Sequence, residues 1–233
     1  MSNVLGSINP IDKIAEITKK IDAIFIVDAA QSVSHIPVDI QNLGCDFITF
    51  SGHKMLGPTG IGVLWGSLKM LEYLPPFLSG GEMIETVTLE NSTWNEVPYK
   101  FEAGTPNYVQ ANGLGTAVEY LSNIGMENVQ QHEKKLMEYA IEKLKTIPEL
   151  YIHGSPSSRG GVISFNINKI HPQDLSQFLN EDNICIRVGH HCAQPLLKTL
   201  GETSTARISF YVYNDSSDID KFVESLESAM KYF

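Results

Sequence analysis

Basic residues are scarce: 17 lysines and arginines stand against 27 aspartates and glutamates, giving a net charge of -10. A surface of that sign repels nucleic acid and anionic membranes, which excludes both as partners. Long apolar runs are missing too, since no stretch approaches the ~18 residues a membrane-spanning helix needs. The opening MSNVLGSINP has neither the charged nor the apolar region of a signal peptide. Cysteine is sparse: Cys45, Cys185 and Cys192 are the three in 233 residues, odd in number and without a CxxC pair. That set argues against a disulfide framework and for a reducing compartment, so a cytoplasmic chain is expected. Internal repeats and low-complexity tracts are absent as well. What remains is a globular composition, 42% hydrophobic, enough for one large domain or two small ones.

The chain changes character near its middle. Asn9 suits a helix N-cap, Pro10 the first helical position, and Ile11, Ile14, Ile17 and Ile21 mark one helical face. Three short apolar bursts follow, AIFIVD, DFITF and GIGVLW, punctuated by Gly, Pro or Ser. With little polar alternation they read as buried strands of an α/β sheet covered on both faces. From about residue 74 to 106, Pro75, Pro76, Gly80 and Gly81 favour irregular chain, and residues 108–124 form a helix. Beyond that, Met137, Ala140, Ile141 and Leu144 lie on one helical face, and GVISFNI alternates as a half-buried strand. Leu175, Phe178 and Leu179 give a short helix, ICIRV and RISFYVY two more strands, and Ile219, Phe222, Val223, Leu226 and Met230 a final helix. Ser217 with Asp220 resembles a capping box at its start. This second half reads as a compact α+β domain.

Several residues could carry chemistry. Lys54 closes DFITFSGHK and Asp28 closes IFIVD, an amine and a carboxylate at the ends of neighbouring strands. Pyridoxal phosphate chemistry needs that pair: the amine forms a Schiff base, and the carboxylate holds the proton on the pyridine nitrogen. The same two residues also read as ordinary solvated strand ends. GHKMLGPTGIG is not a P-loop, because Lys54 precedes the glycines, but it supplies a tight turn on which a lysine is held. In VGHHCAQP, Cys192 lies on an accessible loop beside His190 and His191, which favour its thiolate. The alternatives are a plain surface cysteine, or a zinc site completed by His53 or His153, which lacks the usual ligand spacing. Arg187 and Arg207, on strands, suit a carboxylate clamp or a surface ion pair. His132, His153 and His171 read as surface residues, Cys45 and Cys185 as core thiols, and Trp65 and Trp94 as packing residues.

Taken in order, SNVLGSINP, VDAAQS, SGHKMLGPTGIG, FEAGTPN, GHHCAQP and TARISFYVYN resemble the cysteine desulfurases of the class V aminotransferase family. GHHCAQP points to the SufS type, since the IscS type carries a longer cysteine loop. The resemblance implies the C-terminal part of a fold type I, pyridoxal phosphate-dependent large domain over residues 1–126. A small α+β domain bearing the cysteine loop would follow over residues 127–233. It implies that Lys54 holds the cofactor and moves the substrate α-proton, Asp28 pairs with the ring nitrogen, and Gln31 bonds the ring oxygen. Ser51 and His53 would take the phosphate together with Thr105 of a second subunit, which implies a homodimer. Asn3 would touch both cofactor and substrate, and Arg187 and Arg207 would orient the substrate, with Arg207 the main carboxylate clamp. Cys192 would attack the sulfur of L-cysteine, or the selenium of L-selenocysteine. The products would be alanine and a persulfide, passed to an acceptor of the SufE or SufU kind for iron–sulfur cluster assembly.

The chain also departs from the family. Its members are longer, and this sequence begins where their second half begins, with Met1 at an interior strand position. A histidine that stacks on the ring, a phosphate-binding loop and several strands would lie in the missing part. A sheet cut there exposes an open edge and an apolar face. The expectation is a fragment with little or no desulfurase activity alone, whether truncated, split or nicked. Two other readings stand beside it: a different class V activity that uses Lys54 and Asp28 but not Cys192, and a non-catalytic remnant keeping a dimer or acceptor surface.

Overall fold

The computed structural model describes residues 1–155 and 158–233. The chain divides into two compact units, one of Pro10–Ser34 and Val38–Asn123, the other of Met1–Asn9, His35–Pro37 and Ile124–Phe233. The N-terminal nonapeptide thus clusters with the C-terminal half, which a single boundary after residue 126 does not convey.

In the first unit, α1 (Ile11–Lys20), β1 (Ile26–Asp28), α2 (Ile40–Leu43), β2 (Phe47–Ser51) and β3 (Gly62–Gly66) follow in order. The three bursts become the three strands. β1 runs parallel to β2 with Asp28 opposite Thr49, and β3 returns antiparallel along β2. Val27, Ala29 and Ile48 are buried on one face, packed against Ile11 of α1 and Ile40 and Leu43 of α2. The opposite face is covered only in part: Phe47, in register with Ile26, is buried at 5% exposure. Ile26 and Leu64 on it are 61% and 55% exposed, because a residue and its neighbour along a strand face opposite ways. The expected burial on both faces is therefore found in part on this one. Likewise α1 buries none of its residues, and Ile17 and Ile21 of its apolar stripe face solvent. Pro10, not Asn9, stands at the cap of α1; its carbonyl accepts from Ile14 N at 3.2 Å.

The unit continues with α3 (Leu68–Tyr73), a hairpin of β4 (Ile84–Val87) and β5 (Ser92–Trp94), and α4 (Tyr108–Ile124). The hairpin falls where irregular chain was expected; its strands are only four and three residues long, too short for a period to be read. Trp94 and Trp65 are 43% and 37% exposed, which corrects their assignment as packing residues.

The second unit contains α5 (Met126–Leu144), β6 (Leu150–Ile152), β7 (Val162–Ile167), α6 (Pro172–Glu181), β8 (Arg187–Gly189), α7 (Gln194–Leu200), β9 (Thr205–Ser209) and α8 (Ser216–Tyr232). The sheet runs β6-β7-β9-β8 with every pairing antiparallel. Helices cover one face, the usual α+β arrangement. Leu136, Ala140 and Leu144 of α5, Leu179 of α6 and Phe222 and Leu226 of α8 close over Ile163, Phe165 and Ile208. The rings of Phe165 and Phe222 meet edge to face at 6.0 Å.

The N-terminal nonapeptide packs against the other face. Val4 is buried, and its carbonyl accepts from Ser164 Oγ at 2.5 Å. Gly6 makes the approach possible: at φ 68°, a Cβ there would stand 2.6 Å from the carbonyl oxygen of Val162. β7 is therefore buried at every position rather than half-buried. His153 is buried as well, bonded through Nε2 to Asn166 Oδ1 at 2.9 Å, and not the surface residue its polar neighbours suggested. Cys185 is exposed and not a core thiol. β9 stops at Ser209, short of the full RISFYVY run, and α8 is capped by Asp215 with Asp218, two residues before the expected pair. A buried carboxylate is countered locally: Glu133 Oε1 lies 2.7 Å from His35 Nδ1, while burial pushes the Glu133 pKa up.

Phe165 is fully buried in this layer. Phe165→Ala is expected to cost about 3–5 kcal/mol by leaving a cavity the helices cannot close. Urea unfolding followed by circular dichroism measures it, and a loss under about 1 kcal/mol would contradict this packing.

Candidate active site

Strand register sets the first group of residues. Asp28 ends β1 and pairs in register with Thr49, two positions before Ser51 at the end of β2, so Asp28, Thr49 and Ser51 lie on one face at the carboxyl edge of a parallel pair. Ligands of open α/β sheets gather at that edge. Ala30 N donates to Asp28 Oδ1 at 2.9 Å, and Asp28 is otherwise open to solvent. After Ser51 the chain makes one 3-10 turn, Gly52–Lys54, and closes on itself. Met55 N and Gly57 N both reach Gly52 O at 3.0 Å, and Gly52 N reaches Ile61 O at 2.9 Å. A Cβ on Gly52 would stand 2.8 Å from Ile61 Cγ2, so only glycine allows the turn to fold this tightly. Lys54 projects from that turn half-buried, with no hydrogen bond or ion pair to any described residue. Gln31 is half-buried just past β1, and His53 and Thr105 are exposed. Asn107 Nδ2 donates to Gly60 O at 2.7 Å and ties FEAGTPN to the glycine loop. Sequence reasoning assigned Asn107 no part in the site.

A second group forms in the other unit. Arg187 and Arg207 are directly opposed on β8 and β9, and neither guanidinium pairs with a carboxylate among the described residues. Arg207 Nη1 donates to Asn3 O at 2.8 Å, and its buried Nε has no partner. Burial first, and the neighbouring Arg187 second, lower the Arg207 pKa. Arg187 Nη2 lies 3.7 Å from Sγ of the exposed Cys192. Cys192 sits in a tight turn closed by Ala193 N to His190 O at 2.9 Å, where both His191 and Cys192 have positive φ, 52° and 62°.

His191 departs from expectation. It is buried, 2% exposed, with Nε2 at 3.1 Å from Thr205 O and 2.9 Å from Thr205 Oγ1. Asn3 Nδ2 donates to its carbonyl at 2.8 Å. Burial, then the Arg207 charge, bring its pKa down to about 4. It is neutral near pH 7, so it gives no positive charge to a thiolate; the cation at Sγ is Arg187. No sequence signal marks His191 as buried, since its Gly-His-His-Cys setting reads as surface loop.

The Aminotransferase class-V family matches residues 1–222. The chain belongs to the class V aminotransferase family. A probable cysteine desulfurase of Halalkalibacterium halodurans is 50% identical over 233 residues, all of this chain and 57% of that protein. A cysteine desulfurase of Haloferax volcanii is 47% identical over 234 residues, covering all of this chain and 55% of the relative. Among solved structures, the apo cysteine desulfurase of Thermococcus onnurineus NA1 superposes with a TM-score of 0.97 at 39% identity, over all of this chain and 59% of its own. The Escherichia coli cysteine desulfurase CsdA, as an S-sulfonic acid, gives 0.96 at 36%, over all of this chain and 58% of its own. The α/β architecture is that of the C-terminal part of fold type I, and the chain spans little more than half the length of the relatives it matches.

Class V enzymes depend on pyridoxal phosphate, and the first group of residues fits it. An open carboxylate ends β1, and an unpartnered, half-buried amine closes the turn that follows its parallel neighbour β2.

The neutral His191 makes a pH prediction. Its folded pKa of about 4 lies below the 6.5 of a free imidazole, so the unfolded chain takes up the proton first. The stability it contributes is present above pH 6.5 and is lost as the pH falls toward about 4. The midpoint of thermal unfolding should drop more steeply through that window in the parent chain than in His191→Gln. Equal slopes would overturn it.

Proposed function

We propose that this chain supplies the pyridoxal lysine and the sulfur-carrying cysteine of a cysteine desulfurase. One observation carries the reading: Lys54, half-buried without a partner, in the self-closed turn after β2, whose parallel neighbour β1 ends on the open Asp28. Cys192 beside Arg187, whose strand partner Arg207 also lacks a carboxylate, supports the amino-acid substrate.

Bound pyridoxal phosphate draws electrons from the substrate α-carbon, which loosens the α-proton and the β-substituent. Lys54 would hold the cofactor through its carbonyl carbon and would carry the substrate α-proton. Asp28 keeps the ring nitrogen protonated, and Gln31 bonds the ring oxygen. Ser51 and His53 hold the phosphate, joined by Thr105 from a second copy. Arg207, with Arg187 and Asn3, takes the substrate carboxylate through paired N–H donors. Cys192 Sγ bonds to the substrate sulfur as the carbon–sulfur bond breaks; the bonding pair stays on carbon and is protonated. L-cysteine and the thiol thus yield L-alanine and a persulfide on Cys192, with L-selenocysteine an alternative substrate.

The finer reading is the SufS type, supported by the short GHHCAQP turn, acting in the cytoplasm and passing sulfur to a SufE- or SufU-type acceptor for iron–sulfur cluster assembly. A homodimer is supported by the exposed Val87, Leu89 and Trp94 of the β4–β5 hairpin and by the exposed Thr105.

Borohydride reduction of the chain mixed with pyridoxal phosphate should leave a pyridoxyl group on Lys54 in peptide mass spectra, and Lys54→Ala should lose it. Before reduction, L-cysteine added to the mixture should put little or no sulfur on Cys192, as expected of a chain that spans 57% of its relative, and Cys192→Ala should leave labelling at Lys54 unchanged. Labelling spread over other lysines with Lys54 untouched would overturn the proposal.

A further inference from the structure

His191 has no part in the chemistry above, yet its surroundings are more constrained than those of the cysteine beside it. The turn from His190 to Ala193 holds two consecutive non-glycine residues at positive φ. Each such residue costs about 1–3 kcal/mol unless the surroundings over-determine it. Cys192 cannot supply that constraint: it is exposed, and its sulfur makes one polar contact, to Arg187. His191 can. Its imidazole is sunk against Thr205, itself fully buried, and its carbonyl is held by the Asn3 amide.

Hydrogen-bond roles at the ring follow from its partners. The Thr205 carbonyl can only accept, so Nε2 carries the proton and donates to it at 3.1 Å, with Thr205 Oγ1 sharing at 2.9 Å. Nδ1 is then an acceptor, buried and unpartnered. A ring needed only for volume would be cheaper as phenylalanine, since an unmet buried acceptor costs about 1–3 kcal/mol. The bond to Thr205 is what the imidazole provides that a hydrocarbon cannot.

We propose that His191 is a positioning residue for Cys192: its Nε2–H bond to Thr205, with the Asn3 bond to its carbonyl, fixes the left-handed turn and thereby sets Sγ beside Arg187. This rests on the reading of Cys192 as the sulfur carrier, because it is that sulfur whose place matters. A sulfur held against a guanidinium reacts faster than one that swings free.

The test is site-resolved alkylation of the full chain by iodoacetamide, with Cys185, also exposed, as an internal control in the same molecules. His191→Phe keeps the bulk and loses the donor; its Cys192 rate should fall by about threefold or more relative to Cys185. His191→Gln places an amide N–H at a reach similar to Nε2 and should restore the rate to within about twofold. His191→Asn tolerates the left-handed backbone but is too short to reach Thr205, so it should behave like the phenylalanine variant. Should His191→Phe fail to fold, the Gln and Asn pair carries the comparison. Equal Cys192 rates in Gln and Asn, or a parent-like rate in a folded Phe variant, would overturn the proposal. Alkylation needs neither cofactor nor substrate, so its outcome is separate from pyridoxyl labelling at Lys54.

Discussion

Asn3 binds in two directions, and the arrangement around Cys192 depends on it. Its main-chain carbonyl accepts from Arg207 Nη1, and its side-chain amide donates to the carbonyl of His191. Arg207 has little else to hold it: Nε is buried without a partner, and Arg187 repels it from the adjoining strand. An unmet donor on a buried guanidinium costs on the order of 1–3 kcal/mol or more. Asn3 can serve both partners because the nonapeptide is pinned beneath it, by Ser164 on Val4 and by the close seat of Gly6 over Val162. A substitution at Gly6, which touches none of the reactive groups, would therefore be felt at the arginines and at the cysteine turn.

The two groups of residues are placed by different physical means. Asp28 and Lys54 owe their positions to backbone. Parallel register puts Asp28 level with Thr49, and a slip by one residue would send it to the opposite face. The glycine loop then fixes Lys54 by main-chain bonds alone. Cys192, by contrast, is located through side chains: an imidazole, an amide and a guanidinium. Main-chain placement leaves the turn that carries the Lys54 amine in one position whatever the neighbouring side chains do. Side-chain placement makes the position of Sγ depend on three separate contacts, to Thr205, Asn3 and Arg187.

How much of this was legible in the sequence follows from what pattern can encode. Strands β1 and β2 and helices α4 and α5 were readable because runs of apolar residues, or apolar residues at helical spacing, have few alternatives. Strand β7 was readable as a strand but not in its burial. Ser164 and Asn166 signal a solvent face, and only the distant Val4 and His153 turn that face inward. The β4–β5 hairpin was invisible, since Thr86 and Thr93 hold it through polar cross-strand bonds that periodicity does not see. Cys185 was misread because strand-like alternation does not say which face is covered. Of the site, the motif residues Lys54, Asp28, Cys192, Arg187 and Arg207 stood out by type. His191, Thr205 and Asn107 did not, because their work is done through long-range bonds.

Two like charges opposed across β8 and β9 need a reason to persist. Arg187 and Arg207 repel, and partial burial of Arg207 sharpens the repulsion by lowering the local dielectric. Surface arginines of that kind normally recruit a nearby aspartate or glutamate, and this chain has 27 to offer. None is placed there among the described residues. A resident carboxylate would relieve the strain permanently, whereas an incoming one relieves it only while bound, so the repulsion becomes affinity for an anion of the right shape. Part of that positive field also falls on Cys192, since Arg187 faces the sulfur as well as its partner arginine. An anion bound there would therefore also change the field at that sulfur, through a single guanidinium.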